Sequence, residues 1–339
     1  MEDIIIKEDD NKKILNSKNY NFIFSKNTGA FIRWGKSLKD NPKYCPFGPE
    51  IADIEITTIC DGVDGTPCKF CYKSNTSNGI YMTLEKYEYI LKYLPKTITQ
   101  IAFGVDAKCE TNPDTFEIME LTREKGIIPN VTVADIKTST ARKLARLCGS
   151  VAVSRYADKE ICYESVRKLA LEGARNIYIH LLLAEDTFGY ALETIDDFYS
   201  DKRLKNVSSL VFLSLKNKGR GKSLKRLSKP KFVKLLKILD NNYIPYGFDS
   251  CTAHKFIENS KRDKNIIDLL VEPCESSLFS IYINVDGEAF PCSFVEGEKG
   301  WEEGIEIDKD FSKIWNNKKM VDFRNKLLKN NRKCPYFKI

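Results

Sequence analysis

Hydrophobic and polar positions follow two rhythms along this chain. Between residues 51 and 242, short apolar or alternating runs near 52–57, 98–103, 128–133, 150–155, 176–183 and 208–214 read as strands. Runs of helical period fall between them, near 83–94, 114–126, 137–147, 160–172, 187–200 and 229–242. The punctuation agrees: Thr83 stands as an N-cap, Asn112-Pro113-Asp114 opens the second helix, and Gly126 and Gly173 close two others. The capping box at Thr83 is incomplete, because Lys86 occupies the position an acid would take. Six strand–helix units in series predict an α/β fold with a mostly parallel sheet. Either a doubly wound sheet or a partly closed barrel fits, and in both the ligands gather at the C-terminal ends of the strands.

The flanks differ. Residues 19–34 alternate, break at Lys26-Asn27-Thr28-Gly29 and alternate again, which predicts a hairpin. Residues 36–49, with three prolines, read as an ordered loop in which Cys45 packs against the rim. Near the other end, 274–292 reads as a small hairpin turning at Asp286-Gly287 with a cysteine at each end, followed by a helical run leading to Cys334.

Composition narrows the classes. With 339 residues, 42% hydrophobic and 30% charged, the chain is globular rather than disordered or collagenous. No apolar stretch approaches the roughly 18 residues of a membrane span. The acidic start MEDIIIKEDD lacks the features of a secretory signal, so a cytoplasmic protein with no membrane partner is expected.

Eleven cysteines stand against two histidines. An odd thiol count in a reducing compartment argues against a disulfide framework, and sulfur-bound metal becomes the first alternative to test. Cys60, Cys68 and Cys71 crowd into twelve residues after the first strand of the repeat, in a loop rich in turn formers. Such a loop can bend three thiolates round one centre, which suits a [4Fe–4S] cube with one open iron; zinc, given a fourth ligand from elsewhere, also fits. Cys251, Cys274, Cys292 and Cys334 can form a complete four-thiolate site, lending a small appendage stability it otherwise lacks. Cys148 and Cys162 sit in apolar surroundings and read as core, while Cys109 lies in an open-looking loop.

These residues resemble the radical S-adenosylmethionine enzymes, in particular those with a C-terminal auxiliary-cluster extension of the SPASM or twitch kind. The family pattern CxxxCxxC is matched by Cys60, Cys68 and Cys71 with a first gap widened to seven residues, and Cys274 to Cys292 looks like the opening of the auxiliary motif. The phrases FIRWG, PFGPEIADIEIT, PCKFCYKSN and GFDSC also look like an uncharacterised group found in bacteria and phages. The resemblance implies a partial (β/α)6 TIM-like barrel over 50–245, preceded by a hairpin and loop over 1–49 and followed by an auxiliary-cluster domain over 246–339. It implies a [4Fe–4S] cluster on Cys60, Cys68 and Cys71 that reductively cleaves S-adenosylmethionine to a 5′-deoxyadenosyl radical, which takes a substrate hydrogen. A second [4Fe–4S] cluster on Cys251, Cys274, Cys292 and Cys334 would serve in electron transfer. Cofactor contacts are implied at Tyr72, Gly104, Asp106 (with Glu110 as a second candidate), Ser154, Arg155 and Glu185, with His180 close to the same mouth. A reductant such as flavodoxin or ferredoxin is implied as partner.

Charge bears on the substrate. Net charge is +7, and residues 216–231 carry eight basic and no acidic residues. That run reads as a solvated lysine-rich loop or as an attractor of an acidic peptide, a nucleotide or nucleic acid, although no nucleic-acid module accompanies it. Auxiliary-cluster enzymes of the resembled class often modify peptides, so oxidative modification of a peptide or protein is the preferred reading. A nucleotide, nucleic acid or small metabolite is the other enzymatic one, and a structural zinc protein binding partners through its basic loop is the non-enzymatic one.

Overall fold

The computed structural model describes residues 4–339. Four short strands come first, β1 (Ile5–Glu8), β2 (Lys12–Asn16), β3 (Asn21–Ser25) and β4 (Phe31–Trp34), in a sequential antiparallel sheet. The hairpin expected at 19–34 is thus the second half of a meander. Leu15, Phe22 and Phe24 are the buried apolar positions of its strands. The meander abuts the N-terminal ends of the barrel strands: Lys13 Nζ donates to Ile98 O at 2.8 Å, and Arg33 pairs with the buried Glu50 at 2.9 Å.

The repeat then runs as β5 (Ile51–Glu55), α1 (Leu84–Tyr93), β6 (Gln100–Gly104), α2 (Thr115–Glu124), β7 (Ile128–Val133), α3 (Thr138–Leu147), β8 (Ser150–Ser154), α4 (Lys159–Leu171), β9 (Ile177–Leu183), α5 (Phe188–Asp197), β10 (Val207–Ser214), α6 (Lys229–Asn241) and β11 (Tyr246–Phe248). Each strand from β5 to β11 pairs in parallel with the next, with no reversal of order. A doubly wound sheet would reverse, so the choice left open above resolves to a partial barrel. Thr83 caps α1 as expected, accepting from Lys86 N at 3.3 Å. The Asp114 carboxylate instead accepts from Leu84 N at 3.3 Å, tying the starts of α1 and α2 together.

After α7 (Ala253–Asn259) and α8 (Lys264–Leu270), β12 (Ser280–Ile283) returns to pair in parallel with β5, and β13 (Glu288–Phe290) and β14 (Ile305–Glu306) extend the sheet from there. Two helices, α9 (Phe311–Trp315) and α10 (Lys318–Lys329), finish the fold. The C-terminal part therefore continues the barrel sheet from its first strand, while β11, counted with that part in the sequence reading, lies on the opposite edge. Among the described residues no helix is long and apolar enough to cross a membrane.

Strand alternation decides where chemistry can occur. In β9, Ile177, Ile179, Leu181 and Leu183 are buried under the helices, whereas Tyr178, His180 and Leu182 are only partly covered. Register carries the same phase round the sheet, so Asp53, Asn130, Thr132, Ser154 and His180 share the concave face. Tyr178, Leu182, Val211 and Leu213 fall in the same phase, so that face mixes polar and apolar side chains.

Candidate functional site

The first three cysteines lie in the loop that leaves the C-terminal end of β5. Its shape is set by backbone bonds, Cys60 N to Thr76 O at 2.8 Å and Cys71 N to Cys68 O at 3.2 Å. The widened gap holds a tight turn closed by Thr66 N donating to Val63 O; Gly62 has φ +78°, and a Cβ there would lie 2.0 Å from Thr66 O. All three thiols are free and half-buried, and each acts on the ionisation of Cys68 or Tyr156. Burial pushes the Cys68 thiol up, a hydrogen bond from Tyr156 opposes this, and the neighbouring Cys71 and Cys60 add to the rise. Phe70, between the second and third cysteines, stacks on Tyr156 with centroids 5.4 Å apart.

The other four cysteines converge from distant parts of the chain. Cys251 precedes α7, Cys274 precedes β12, Cys292 follows β13, and Cys334 lies beyond α10; all four line one cavity of about 180 Å³. Ile51, Asp53, Lys216, Ser276 and Phe294 complete much of its wall. Burial pushes Cys292 up to about 12 and raises Cys251 and Cys274, with the thiols reinforcing one another. Four thiolates cannot share such a space without compensating positive charge, which metal supplies. One cation is already present: Lys216 is buried at the wall, ion-paired with Asp249 and 4.7 Å from the Phe294 ring centroid. Burial opposes its charge, but Asp249 and the thiols outweigh burial and raise its pKa.

The donor chemistry fits the expected groups, an all-sulfur set of three at the mouth and an all-sulfur set of four within the appendage. Among the described residues no three His, Cys, Asp or Glu side chains are drawn together around a single metal ion. A four-iron cube needs its sulfurs farther apart than the roughly 3.8 Å that zinc–sulfur bonds of 2.3 Å impose on a tetrahedral ion.

The residues carried over as cofactor contacts are placed unequally. Gly104 ends β6 on the open face, and a Cβ there would approach Glu55 Cα at 3.1 Å. Ser154 ends β8 beside His180 on the concave face. Asp106 is buried and its carboxylate accepts from the backbone amides of Lys108, Glu110 and Thr111 and from Thr111 Oγ1, at 2.9–3.0 Å. It thereby shapes the loop after β6. Glu110 turns outward to Lys137 at 2.8 Å and Thr140 at 3.3 Å. Glu185 holds the start of α6, accepting from Ser228 N at 2.8 Å and pairing with Lys231 at 2.5 Å. Arg155 lies one residue past Ser154 with its guanidinium fully buried beside Glu193 and the Tyr190 ring, and its Nε and Nη1 have no hydrogen-bond partner among the described residues. Tyr72 points toward the second site, its hydroxyl on Ser293 and its ring 4.3 Å from that of Phe294.

Several site residues escape sequence reasoning. Asp53 opens onto the interior from the concave face, where the surrounding protein and the nearby Glu275 push its carboxyl up. Its only sequence signal is an acid at an inward position of the first barrel strand. Lys73 joins Glu55, Tyr282 and Glu296 in a network that bridges β5 and the C-terminal part. Cys45 and Cys109 are both completely buried. Packing was expected for Cys45, whereas the loop carrying Cys109 looked open; Cys109 is buried there at φ +61°.

The SPASM family, described as an iron–sulfur cluster-binding domain, matches residues 274–336. No curated protein sequence matches the chain. Among solved structures, SuiB of Streptococcus suis bound to S-adenosylmethionine superposes with a TM-score of 0.62 at 15% identity, covering 82% of this chain and 68% of that one. SuiB bound to its precursor peptide SuiA gives 0.62 at 14% identity, covering 82% and 67%. A further SuiB structure gives 0.62 at 13% identity over 95% of this chain and 89% of that one.

Proposed function

We propose that this chain, which has the radical S-adenosylmethionine fold and carries a SPASM iron–sulfur domain, is an enzyme that oxidatively modifies a peptide or protein. The observation that carries the reading is the gathering of four cysteines, distant in sequence, round one cavity, with three more at the C-terminal end of the first barrel strand. Cys60, Cys68 and Cys71 would hold a [4Fe–4S] centre, and Cys251, Cys274, Cys292 and Cys334 a second. When loaded, the first supplies an electron that cleaves S-adenosylmethionine to methionine and a 5′-deoxyadenosyl radical, which takes a hydrogen atom from the substrate.

The protein's part is orientation and exclusion. Phe70 and Tyr156 form an apolar flank for the cofactor, Gly104 leaves room at the end of β6, and Ser154 offers a hydroxyl from the concave face. Buried Arg155, with two N–H directions unmet, is the group best suited to a carboxylate. The substrate would enter the interior between the two cysteine sites, where Asp53 and His180 face it. A small redox protein such as flavodoxin or ferredoxin would deliver the electron. A peptide is favoured because SuiB, whose fold this chain shares, is seen bound to a precursor peptide.

The test is anaerobic incubation of the reconstituted protein with S-adenosylmethionine, reductant and short peptides encoded beside its gene. Formation of 5′-deoxyadenosine with a peptide mass reduced by two hydrogens is expected. Turnover only with nucleotides or small metabolites would move the substrate class, and a colourless protein after reconstitution would end the enzymatic reading.

A further inference from the structure

The basic run at 216–231 is not one surface. Lys222, Lys225, Arg226 and Lys229 are exposed, whereas Lys216, Lys218 and Arg220 point into the molecule and are engaged. These three cations alternate along the segment that leaves β10, and each meets a different part of the two cysteine sites. Arg220 Nε donates to Cys68 O at 2.8 Å, its Nη2 donates to Asn75 O at 3.0 Å, and its backbone amide donates to Cys71 O at 3.0 Å. Lys218 Nζ donates to Phe294 O at 2.9 Å and to Glu296 O, holding the chain that has just left Cys292. Lys216, ion-paired with Asp249, lines the four-cysteine cavity.

Close approach fixes the segment as firmly as these bonds do. Gly219 has φ +54°, and a Cβ there would stand 2.4 Å from Tyr72 O and 2.6 Å from Cys71 O. No side chain fits between this backbone and the first cysteine loop. The loop needs outside support because its widened gap leaves much of it without a strand or helix. A guanidinium bonded to its carbonyls supplies that support through charge-assisted hydrogen bonds.

We infer that residues 216–221 form a strap that registers the two cysteine sites against each other. Arg220 and Gly219 hold the first loop, Lys218 holds the segment after Cys292, and Lys216 places a buried positive charge at the four-cysteine cavity. All are positioning residues. The assignment rests on the proposed roles of the seven cysteines, yet its mechanical part is a property of the protein without metal.

Hydrogen exchange on the metal-free protein tests that part. Arg220→Gln should speed exchange at residues 60–76 about tenfold and leave 292–298 unchanged, and Lys218→Gln should do the reverse. Gly219→Ala, which keeps both cations, should loosen 60–76 as well; unchanged exchange there in both Arg220→Gln and Gly219→Ala overturns the strap. If Arg220→Gln instead loosens the whole barrel, Gly219→Ala and Lys218→Gln decide the matter. The electrostatic part is read on reconstituted protein: Lys216→Met should move the reduction potential of the four-cysteine centre to more negative values and leave the three-cysteine centre in place, because a cation beside a reducible cluster favours its reduced form. An unmoved potential removes Lys216 from the inference. A wild-type protein that takes up zinc and no iron would defeat the proposed function while leaving the exchange result to stand or fall alone.

Discussion

The Tyr72 hydroxyl donates to Ser293 Oγ at 3.0 Å. Tyr72 directly follows Cys71 and Ser293 directly follows Cys292, so the neighbours of one cysteine from each group are in contact. The Tyr72 ring also packs on Phe294, and burial raises its phenol pKa. Tyr72→Phe keeps the packing and removes the bond, at a cost of about 1 kcal/mol. Tyr72→Ala also empties the ring's volume, at about 3–5 kcal/mol. Denaturant midpoints of the metal-free variants check this, and equal losses for the two would show that the ring contributes nothing.

Iron content separates the two sites. Anaerobic reconstitution should load about eight irons and as many sulfides per chain, from two four-iron centres. Cys292→Ala should lose about half of them and keep the three-cysteine site, since the two proposed sets of cysteines share no residue. Cys68→Ala should abolish cleavage of S-adenosylmethionine. Full iron retention in Cys292→Ala would remove the second centre.

Much of this was legible in the sequence, for identifiable reasons. The repeat from β5 to α6 follows from apolar periodicity, which is local. The gathering of Cys251, Cys274, Cys292 and Cys334 round one cavity follows from cysteine placement, and the small hairpin from β12 to β13 follows from alternation around Asp286-Gly287. What could not be read depends on side-chain direction or on pairing distant in sequence. Glu110 and Glu185, read as candidate cofactor contacts, spend their carboxylates on helix starts, α3 and α6. The basic run looked uniform, although alternate residues at its start turn inward. The return of β12 to pair with β5 brings together residues some 229 positions apart at Ser280 and Ile51, and no local signal announces such a partner.

Asp106 offers a sharper test of the loop after β6. Its carboxylate accepts four hydrogen bonds from residues 108–111, so Asp106→Ala should cost about 2–4 kcal/mol of stability and disorder that loop. Binding of S-adenosylmethionine should weaken while iron content is unchanged. Equilibrium binding to the reconstituted variant measures this. If Glu110→Ala weakens binding more than Asp106→Ala does, the contact belongs to Glu110.

His180 gives the barrel interior a pH signature. Burial lowers its pKa to about 4, with Asp249 opposing the shift, against an unfolded value of about 6.5. Between those two values the unfolded chain binds the proton and the native protein does not. Stability from this group is therefore complete above the unfolded value and is lost as pH falls toward the folded one. The loss should be on the order of 1–3 kcal/mol across that window. His180→Gln cannot titrate, so its urea midpoint should lack this part of the acid slope while keeping the part due to other groups. An identical slope in the variant would mean that His180 takes up its proton equally in both states, as a side chain in contact with bulk water would.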